Sequence, residues 1–368
     1  MMLERYDRGR FMQLKKIDAA IFQAGEKIPF LAINPTNIEK EKEKVIADPS
    51  YDPFFEYDVP EGRLKEIIRS LDNIEKQDSE MGRLLEEKRI EYLNKSKMLL
   101  NIGREDFQKY DILAYGEPSN ELVEKAKQLL ELESSQDEKT ITTKKAIEIL
   151  KAEMTHYGFK YNVAQKEMSA AVDVNPARKN LYLKPHQMFS VRFIQQLIFH
   201  EIGTHVLRAE NGRYQPFKIF ICGFPDYYPT EEGLAAVNEE RFGLLTPGRL
   251  KKYAARTVAV DMAKTKSFSE IYHFLRQHMS DSLAFTITLR VKRGISDTSK
   301  PGGWTKDHYY LEGYYRVHNY LKEGGKMKNL YYGKVGVQHA KELDKINGLS
   351  RPRYLPENQS FKSLLEFI

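Results

Sequence analysis

His200-Glu201-Ile202-Gly203-Thr204-His205 places two imidazoles and one carboxylate within a single short stretch of the chain. It directly follows residues 189–199, whose apolar side chains recur at helical spacing, with Phe193, Leu197 and His200 on one stripe. The first histidine is therefore expected to face the protein interior. Two histidines flanking a glutamate at the end of a buried helix are typical of a metal hydrolase.

The spacing of the two histidines is unusual, because they lie five residues apart rather than the four of the common zinc-peptidase motif. On a regular helix four residues separate two side chains by about 40°, and five separate them by about 140°. Five residues are close to the repeat of a π-bulge, which Gly203 permits at a cost of about 1 kcal/mol. The sequence therefore predicts a widened turn at 202 to 205. The alternative is an ordinary helix with one buried and one exposed histidine.

A second helix start follows in the segment Pro229-Thr230-Glu231-Glu232-Gly233-Leu234-Ala235, with acidic residues in its first turn. A carboxylate from this helix would complete a ligand set with His200 and His205 and leave the fourth tetrahedral position to water, as in catalytic zinc sites. Glu232 is the predicted ligand, and Glu231, one residue away in register, is its rival. Stabilisation of the helix N terminus is the alternative role for both glutamates.

The pairing of the HEIGTH and EEGLA stretches resembles the microtubule-associated tyrosine carboxypeptidase family and its bacterial relatives, the flavohemoglobin expression-modulating QEGLA-motif proteins. The likeness continues through residues 290–294, 302–307, 310–313 and 333–334 and covers roughly residues 100 to 345, whereas the N-terminal hundred residues resemble the family only weakly. The histidine spacing is also similar to that of dipeptidyl peptidase III.

The resemblance implies a zinc carboxypeptidase, since the animal members of the family remove the C-terminal tyrosine of α-tubulin. It also implies that His200, His205 and Glu232 bind Zn²⁺ and that Glu201 is the catalytic base. Glu231 departs from the family motif, which has glutamine there, and adds a negative charge beside the ligand.

Length and patterning predict a mainly helical α+β protein. The 368 residues, 41% of them hydrophobic, can bury a large core in one or two domains. Helical spacing is found at 7–25, 61–100, 119–133, 142–156 and 246–285, and extended runs at 161–163, 171–174 and 180–183. We expect an N-terminal helical region over 1–135 and, over 136–368, a zincin-like catalytic domain with a small β-sheet.

The composition limits which binding partners and which cellular compartment are expected. The 58 basic and 52 acidic residues leave a net charge of +6, too small to predict nucleic-acid binding. Cys222 is the only cysteine, so an intramolecular disulfide or a cysteine-based zinc site is excluded, and a reducing compartment fits. With neither a signal-peptide pattern nor a membrane-length apolar stretch, a cytoplasmic protein without membrane partners is expected.

A peptidase also needs a group to hold the oxyanion that forms during hydrolysis. Tyr309 and Tyr310 are candidates because they lie in a segment rich in polar residues and glycines, and His308 is a further candidate. The alternative role of either tyrosine is aromatic packing among the 22 tyrosines of the chain.

An exopeptidase further needs a cation that binds the terminal carboxylate of its substrate. Arg290 and Arg293 are the leading candidates, followed by Lys306 and Arg213. The competing interpretation of the Arg-Val-Lys-Arg run at 290–293 is a solvated basic strand face.

Together these features predict a zinc metallocarboxypeptidase that releases a C-terminal residue, Tyr or Phe by family resemblance, from a protein or peptide tail. One alternative is a zinc endopeptidase or aminopeptidase, which would also cleave peptides with blocked C termini. The other is a non-catalytic regulatory module that retains the metal site. Glu201 argues against that module, because a structural site needs no base beside its first ligand.

Overall fold

The protein is described by a computed structural model over residues 8–135, 137–168, 171–341, 343 and 348–356. Helices make up 60% of the described residues and the sheets are small, which confirms the prediction of a mainly helical α+β protein. Among the described residues, no helix has both the length and the apolar composition needed to cross a membrane.

The α-helices are numbered in chain order. The first six are α1 (Arg8–Lys27), α2 (Ile38–Ala47), α3 (Glu61–Asp72), α4 (Glu80–Leu100), α5 (Phe107–Tyr115) and α6 (Asn120–Leu129). The next five are α7 (Thr143–His156), α8 (Val191–Leu197), α9 (Leu207–Gly212), α10 (Ile219–Cys222) and α11 (Tyr228–Arg241). They are followed by α12 (Pro247–Ala263), α13 (Phe268–Arg276), α14 (Asp281–Lys292), α15 (Tyr309–Lys322) and α16 (Val337–Ala340).

Within the part of the chain that the structure describes, five short strands form two small sheets. They are β1 (Ile141–Thr142), β2 (Asn162–Gln165), β3 (Val172–Asn175), β4 (Asn180–Leu183) and β5 (Met188–Phe189). In the three-stranded sheet β4 is central, parallel to β2 and antiparallel to β3, while β1 pairs antiparallel with β5. The sheet predicted ahead of the HEIGTH stretch is therefore confirmed.

Local capping explains where several helices begin. Ser190 precedes α8, and its hydroxyl accepts a hydrogen bond from the backbone N–H of Phe193 over 3.1 Å. Thr142 caps α7 in the same way. Such caps satisfy backbone donors that the first helical turn leaves without partners. The helix that leads into the HEIGTH stretch is thus fixed at its start by a single serine.

The chain divides into two compact units. The first unit comprises residues 1–132 and 249–312, and the second comprises 133–248 and 313–368. The first break lies close to the predicted boundary between 135 and 136, whereas residues 249–312 group with the N-terminal helices. The predicted division into 1–135 and 136–368 stays a prediction.

The core of the second unit joins the small sheet to the helical segment that carries the histidines. Leu181 and Leu183 on β4 are fully buried, as are Leu150 on α7 and Ile194 on α8. They form one apolar cluster with Ile202 of the HEIGTH stretch. Burial of these side chains anchors the stretch against the sheet and α7.

Candidate metal centre

The two histidines lie on a π-helix that extends from Ile198 to Val206, between α8 and α9. The predicted widening at 202 to 205 is confirmed, and it is longer than predicted. The ring centroids of the two imidazoles are 5.1 Å apart. Because a π-helix bonds each residue to the one five positions away, a spacing of five brings both histidines to one side of the helix.

The neighbouring helix α11 contributes the third candidate ligand. Glu232 Oε2 lies 3.6 Å from His200 Nε2, and one donor atom from each of His200, His205 and Glu232 lies within 4.8 Å of the other two. Two ligand atoms that each lie about 2.0 Å from a tetrahedral ion are about 3.3 Å apart. The separations exceed that spacing by at most about 1.5 Å, so small side-chain movements would let all three donors bind one zinc ion.

Each imidazole is oriented by a carboxylate on its other nitrogen. Nδ1 of His200 lies 2.7 Å from Glu239 Oε1, and Nδ1 of His205 lies 2.8 Å from Glu231 Oε1. A carboxylate accepts but does not donate, so each Nδ1 carries a proton, and in the neutral imidazole this leaves the Nε2 lone pair for a metal. Proteins commonly orient metal-binding histidines through such carboxylates. The tautomer that a metal requires is thus set by residues on α11.

The neighbouring glutamates Glu231 and Glu232 have different surroundings. Glu231 is hydrogen-bonded by the Arg208 guanidinium and lies 3.1 Å from Lys334 Nζ, in addition to its bond with His205. Burial alone would raise the pKa of Glu231, but Lys334 and Arg208 hold it well below its usual range. Glu231 is therefore a charged group behind His205, while Glu232 lies with the Nε2 atoms of the histidines.

The metal centre carries an excess of negative charge. It brings together the side-chain cations of Arg208 and Lys334 and the four carboxylates of Glu201, Glu231, Glu232 and Glu239. Burial lowers the pKa of His200, but hydrogen bonds with Glu232 and Glu239 outweigh it and raise this pKa to about 10. Such a site favours a cation, and the donor types suit zinc.

Glu201 lies beside the ligand set on the same π-helix. Its side chain is 17% exposed, and Oε2 lies 4.0 Å from His205 Nε2. A carboxylate in this position can accept a proton from a water molecule that approaches the donors.

Two buried polar residues, Asn238 and Tyr331, form hydrogen bonds with the π-helix. Asn238 Nδ2 donates to Thr204 Oγ1 and to the Tyr331 hydroxyl, each over 2.8 Å. Tyr331 in turn donates to the Gly203 carbonyl oxygen over 2.9 Å, and Thr204 donates to the Phe199 carbonyl oxygen over 3.0 Å. All four polar contacts are buried, so they hold the backbone of the widened turn in place.

Close packing positions the helix that carries the glutamates. A Cβ atom at Gly233 on α11 would lie 2.0 Å from the backbone carbon of Gly313 on α15, and one at Gly313 would lie closer still to the Pro229 carbonyl oxygen. Only glycine fits at either position without moving a backbone. The glycine of the EEGLA stretch is therefore a packing requirement.

Sequence reasoning missed Glu239 and Arg208 at this site. Glu239 follows Glu232 by seven residues on α11, which places both on one helix face. Arg208 follows His205 by three residues and is fully buried. Helical spacing from the predicted ligands is the signal that could have identified Glu239.

The candidate carboxylate-binding residues Arg290 and Arg293 lie in the first unit. Arg290 is on α14 and Arg293 directly follows it, so the solvated strand face is wrong. Arg290 donates through Nε and Nη2 to the two oxygens of Asp307, each over 2.6 Å. Lys292 between them is fully buried and donates to the carbonyl oxygens of Lys300 and Gly302.

The aromatic candidates make contacts of their own in the first unit. Tyr309 packs edge-on against Tyr115, and Tyr310 stacks on Tyr253 with ring centroids 5.3 Å apart. His308 Nδ1 lies 2.6 Å from the Thr305 carbonyl oxygen. The predicted roles of these side chains in holding an oxyanion stay predictions.

Two further cations were predicted to bind substrate. Lys306 belongs to the first unit, where its ammonium lies 5.5 Å from the Trp304 ring. Arg213 belongs to the second unit, where it pairs with Glu210 over 3.1 Å and donates to the Pro176 carbonyl oxygen over 2.7 Å. Their roles, too, stay predictions.

Comparison with known proteins identifies relatives of this chain. The sequence profile of the family described as microtubule-associated tyrosine carboxypeptidase matches residues 46–367, a longer span than the resemblance in the motifs alone. Microtubule-associated tyrosine carboxypeptidase 1 of Mus musculus is 29% identical over 186 residues, which is 48% of this chain and 39% of the mouse protein. The Homo sapiens protein of that name is 28% identical over the same shares.

A second relative is the putative tyrosine carboxypeptidase MATCAP2 of Mus musculus. It is 29% identical over 184 residues, covering 48% of this chain and 35% of the relative. The alignment thus spans less than half the length of the curated relatives that the chain matches.

Proposed function

Because this chain belongs to the microtubule-associated tyrosine carboxypeptidase family, we propose that it is a zinc-dependent carboxypeptidase. Its substrate would be a protein or peptide tail from which it removes a C-terminal tyrosine or phenylalanine. The observation that carries the proposal is the convergence of His200, His205 and Glu232, with Glu201 beside them. The printed names of the relatives support the carboxypeptidase part.

Each residue of the metal centre would have a separate role in the reaction. Zn²⁺ held by His200, His205 and Glu232 would supply Lewis acidity that polarises the scissile carbonyl. Glu201 would accept a proton from the attacking water and deliver it to the leaving amine. Glu239, bonded to His200, keeps that imidazole in the tautomer that binds a metal.

The fold supports a zincin-like classification of the catalytic region. A small sheet precedes the helix that bears both histidines, and the third candidate ligand comes from the helix α11 that follows. This order matches the arrangement of ligands expected from the sequence, with the π-helix replacing the regular turn of the common motif.

Recognition of a free C terminus requires a cation for the terminal carboxylate. We propose this role for at least one of Arg290, Arg293, Lys306 and Arg213, and an oxyanion-binding role for Tyr309 or Tyr310. Loss of a carboxylate contact should raise KM with little change in kcat, whereas loss of an oxyanion donor should lower kcat.

The test compares wild type with Glu201→Gln on a peptide that ends in tyrosine, measuring free tyrosine and bound zinc. Glu167→Gln, an exposed glutamate of the same unit, is the matched control. We expect Glu201→Gln to retain zinc and lose release of tyrosine, while Glu167→Gln keeps both. Zinc bound without release by wild type would favour the regulatory module, and an active Glu201→Gln would exclude this residue as the base.

A further inference from the structure

Four basic side chains gather in the first unit and are called the basic cluster here: Lys252, Arg256, Arg290 and Arg293. Lys252 and Arg256 are four residues apart on α12, so they share one helix face. Arg290 and Arg293 are three apart at the end of α14. One member of each pair, Arg256 on α12 and Arg290 on α14, lies within 3.8 Å of the carboxylate of Asp307.

Asp307 lies at the centre of the basic cluster and is 1% exposed. Its carboxylate accepts two bonds of 2.6 Å from Arg290, and Arg256 Nε lies 3.8 Å away. Burial would raise the pKa of Asp307, but Arg290 and Arg256 hold it well below its usual range. One full negative charge is therefore present, and Arg290 donates a hydrogen bond to each of its two oxygens.

Asp307 balances only part of the positive charge of the basic cluster. Burial and the charges of Arg256, Arg249 and Arg290 lower the pKa of Lys252 to about 7, against the opposing effect of Asp307. Burial and Arg290 likewise lower the pKa of Arg293 to about 10.

Two donors in the basic cluster also lack an acceptor. The Nε atoms of Arg256 and Arg293 are buried, and neither finds a hydrogen-bond partner among the residues that the structure describes. Arg256 is 8% exposed, and its guanidinium lies 4.3 Å from the centre of the Tyr310 ring, which holds it in place. A buried donor without an acceptor is costly, so these two indicate a ligand that supplies oxygen atoms.

We propose that Lys252, Arg256 and Arg293 form a binding site for a doubly charged oxyanion, either a phosphate group or a pair of neighbouring carboxylates. Arg290 and Asp307 position Arg256 and are not themselves the contact groups. Guanidinium groups suit such ligands because their planar donors match two oxygens at once. This site shares Arg293 with the candidates for binding the terminal carboxylate of a substrate, but it requires neither zinc nor peptidase activity.

The test is calorimetric titration of the whole protein with inorganic phosphate and, separately, with a Glu-Glu dipeptide whose termini are blocked. Chloride at equal ionic strength serves as the background. We expect saturable binding of at least one of the two probes. The tighter probe distinguishes a phosphate group from paired carboxylates, and both outcomes support the site. Binding no stronger than that of chloride for both would overturn it.

Three variants connect the binding to the cluster. Lys252→Gln should weaken affinity about tenfold through loss of one charge-assisted hydrogen bond, and Lys252→Arg should restore most of it. Lys251→Gln, at the adjacent half-buried lysine, should leave affinity unchanged. Equal losses in Lys251→Gln and Lys252→Gln would contradict the assignment. Glu201→Gln should bind the probes like wild type, so a failed peptidase assay leaves this result intact.

Discussion

The metal centre of the second unit and the basic cluster of the first both bury charge, but with opposite sign. In the metal centre, carboxylates outnumber the cations Arg208 and Lys334. In the basic cluster, Asp307 faces several cations. Burying an unpaired charge is unfavourable, so such an excess persists where a ligand of the other sign compensates it. The sign of each excess supports the ligand proposed for it, a divalent cation in one unit and an oxyanion in the other.

Removal of a metal ligand should reduce zinc binding and activity more than the other changes considered below. His205→Ala leaves two donors, so we expect loss of bound zinc and a fall of several orders of magnitude in release of tyrosine. His156→Ala, at an exposed histidine of the same unit, should change neither. Zinc content and product release measure the effect. Full zinc occupancy in His205→Ala would exclude His205 as a ligand.

Loss of a charge behind a ligand should have a smaller effect. Glu239→Gln keeps an acceptor for His200 Nδ1 but removes the negative charge, and we expect zinc affinity to fall about 10- to 100-fold. Competition with a chromophoric chelator measures this, with Glu167→Gln as the control. An unchanged zinc affinity would show that the negative charge of Glu239 does not contribute to metal binding, contrary to what the comparison of the metal centre with the basic cluster implies.

Packing at α11 tests whether the glutamates depend on the position of their helix. Gly233→Ala forces a methyl group into the backbone of Gly313, and we expect a loss of about 1–3 kcal/mol in the free energy of unfolding, together with weaker zinc binding. Gly62→Ala on α3 has open space around it and should be neutral or slightly stabilising. Urea unfolding measures both, and equal stability of the two variants would contradict the close approach.

The basic cluster should show the smallest effect, as a dependence of stability on pH. The pKa of Lys252 is lowered from 10.5 to about 7, so the unfolded chain binds more protons between these values and wild-type stability should rise with pH across that window. Lys252→Met should reduce this rise and be more stable than wild type near pH 7, because it removes the charge that burial and the neighbouring arginines disfavour. Urea unfolding at pH 7 and near pH 10 measures it. Identical slopes in Lys252→Met and Lys251→Met would show that Lys252 is not destabilised by its neighbours.

The sequence was most informative where the spacing between two residues determines whether their side chains can meet. Two histidines five residues apart predicted the widened turn, because no regular helix brings both to one ion. The full extent of the π-helix could not be predicted, since it is supported by Asn238 and Tyr331, which are remote in the sequence. The separate roles of Glu231 and Glu232 needed the structure for the same reason.

The Arg-Val-Lys-Arg run shows how local sequence can mislead. The residues before it, Thr286-Ile287-Thr288-Leu289, include β-branched side chains that favour a strand. The structure nevertheless forms α14, whose positions Ala284, Ile287, Thr288 and Val291 are all fully buried at helical spacing. Tertiary burial outweighed local preference, and the basic residues became part of a packed cluster instead of a solvated face.

The carboxypeptidase proposal is tested most directly by comparing two peptides with the zinc-loaded protein, one ending in tyrosine with a free carboxylate and the other in the same residue as an amide. We expect release of tyrosine from the free acid and no cleavage of the amide, because an exopeptidase of this kind must bind the terminal carboxylate. Equal cleavage of both peptides would contradict it and identify an endopeptidase or aminopeptidase instead.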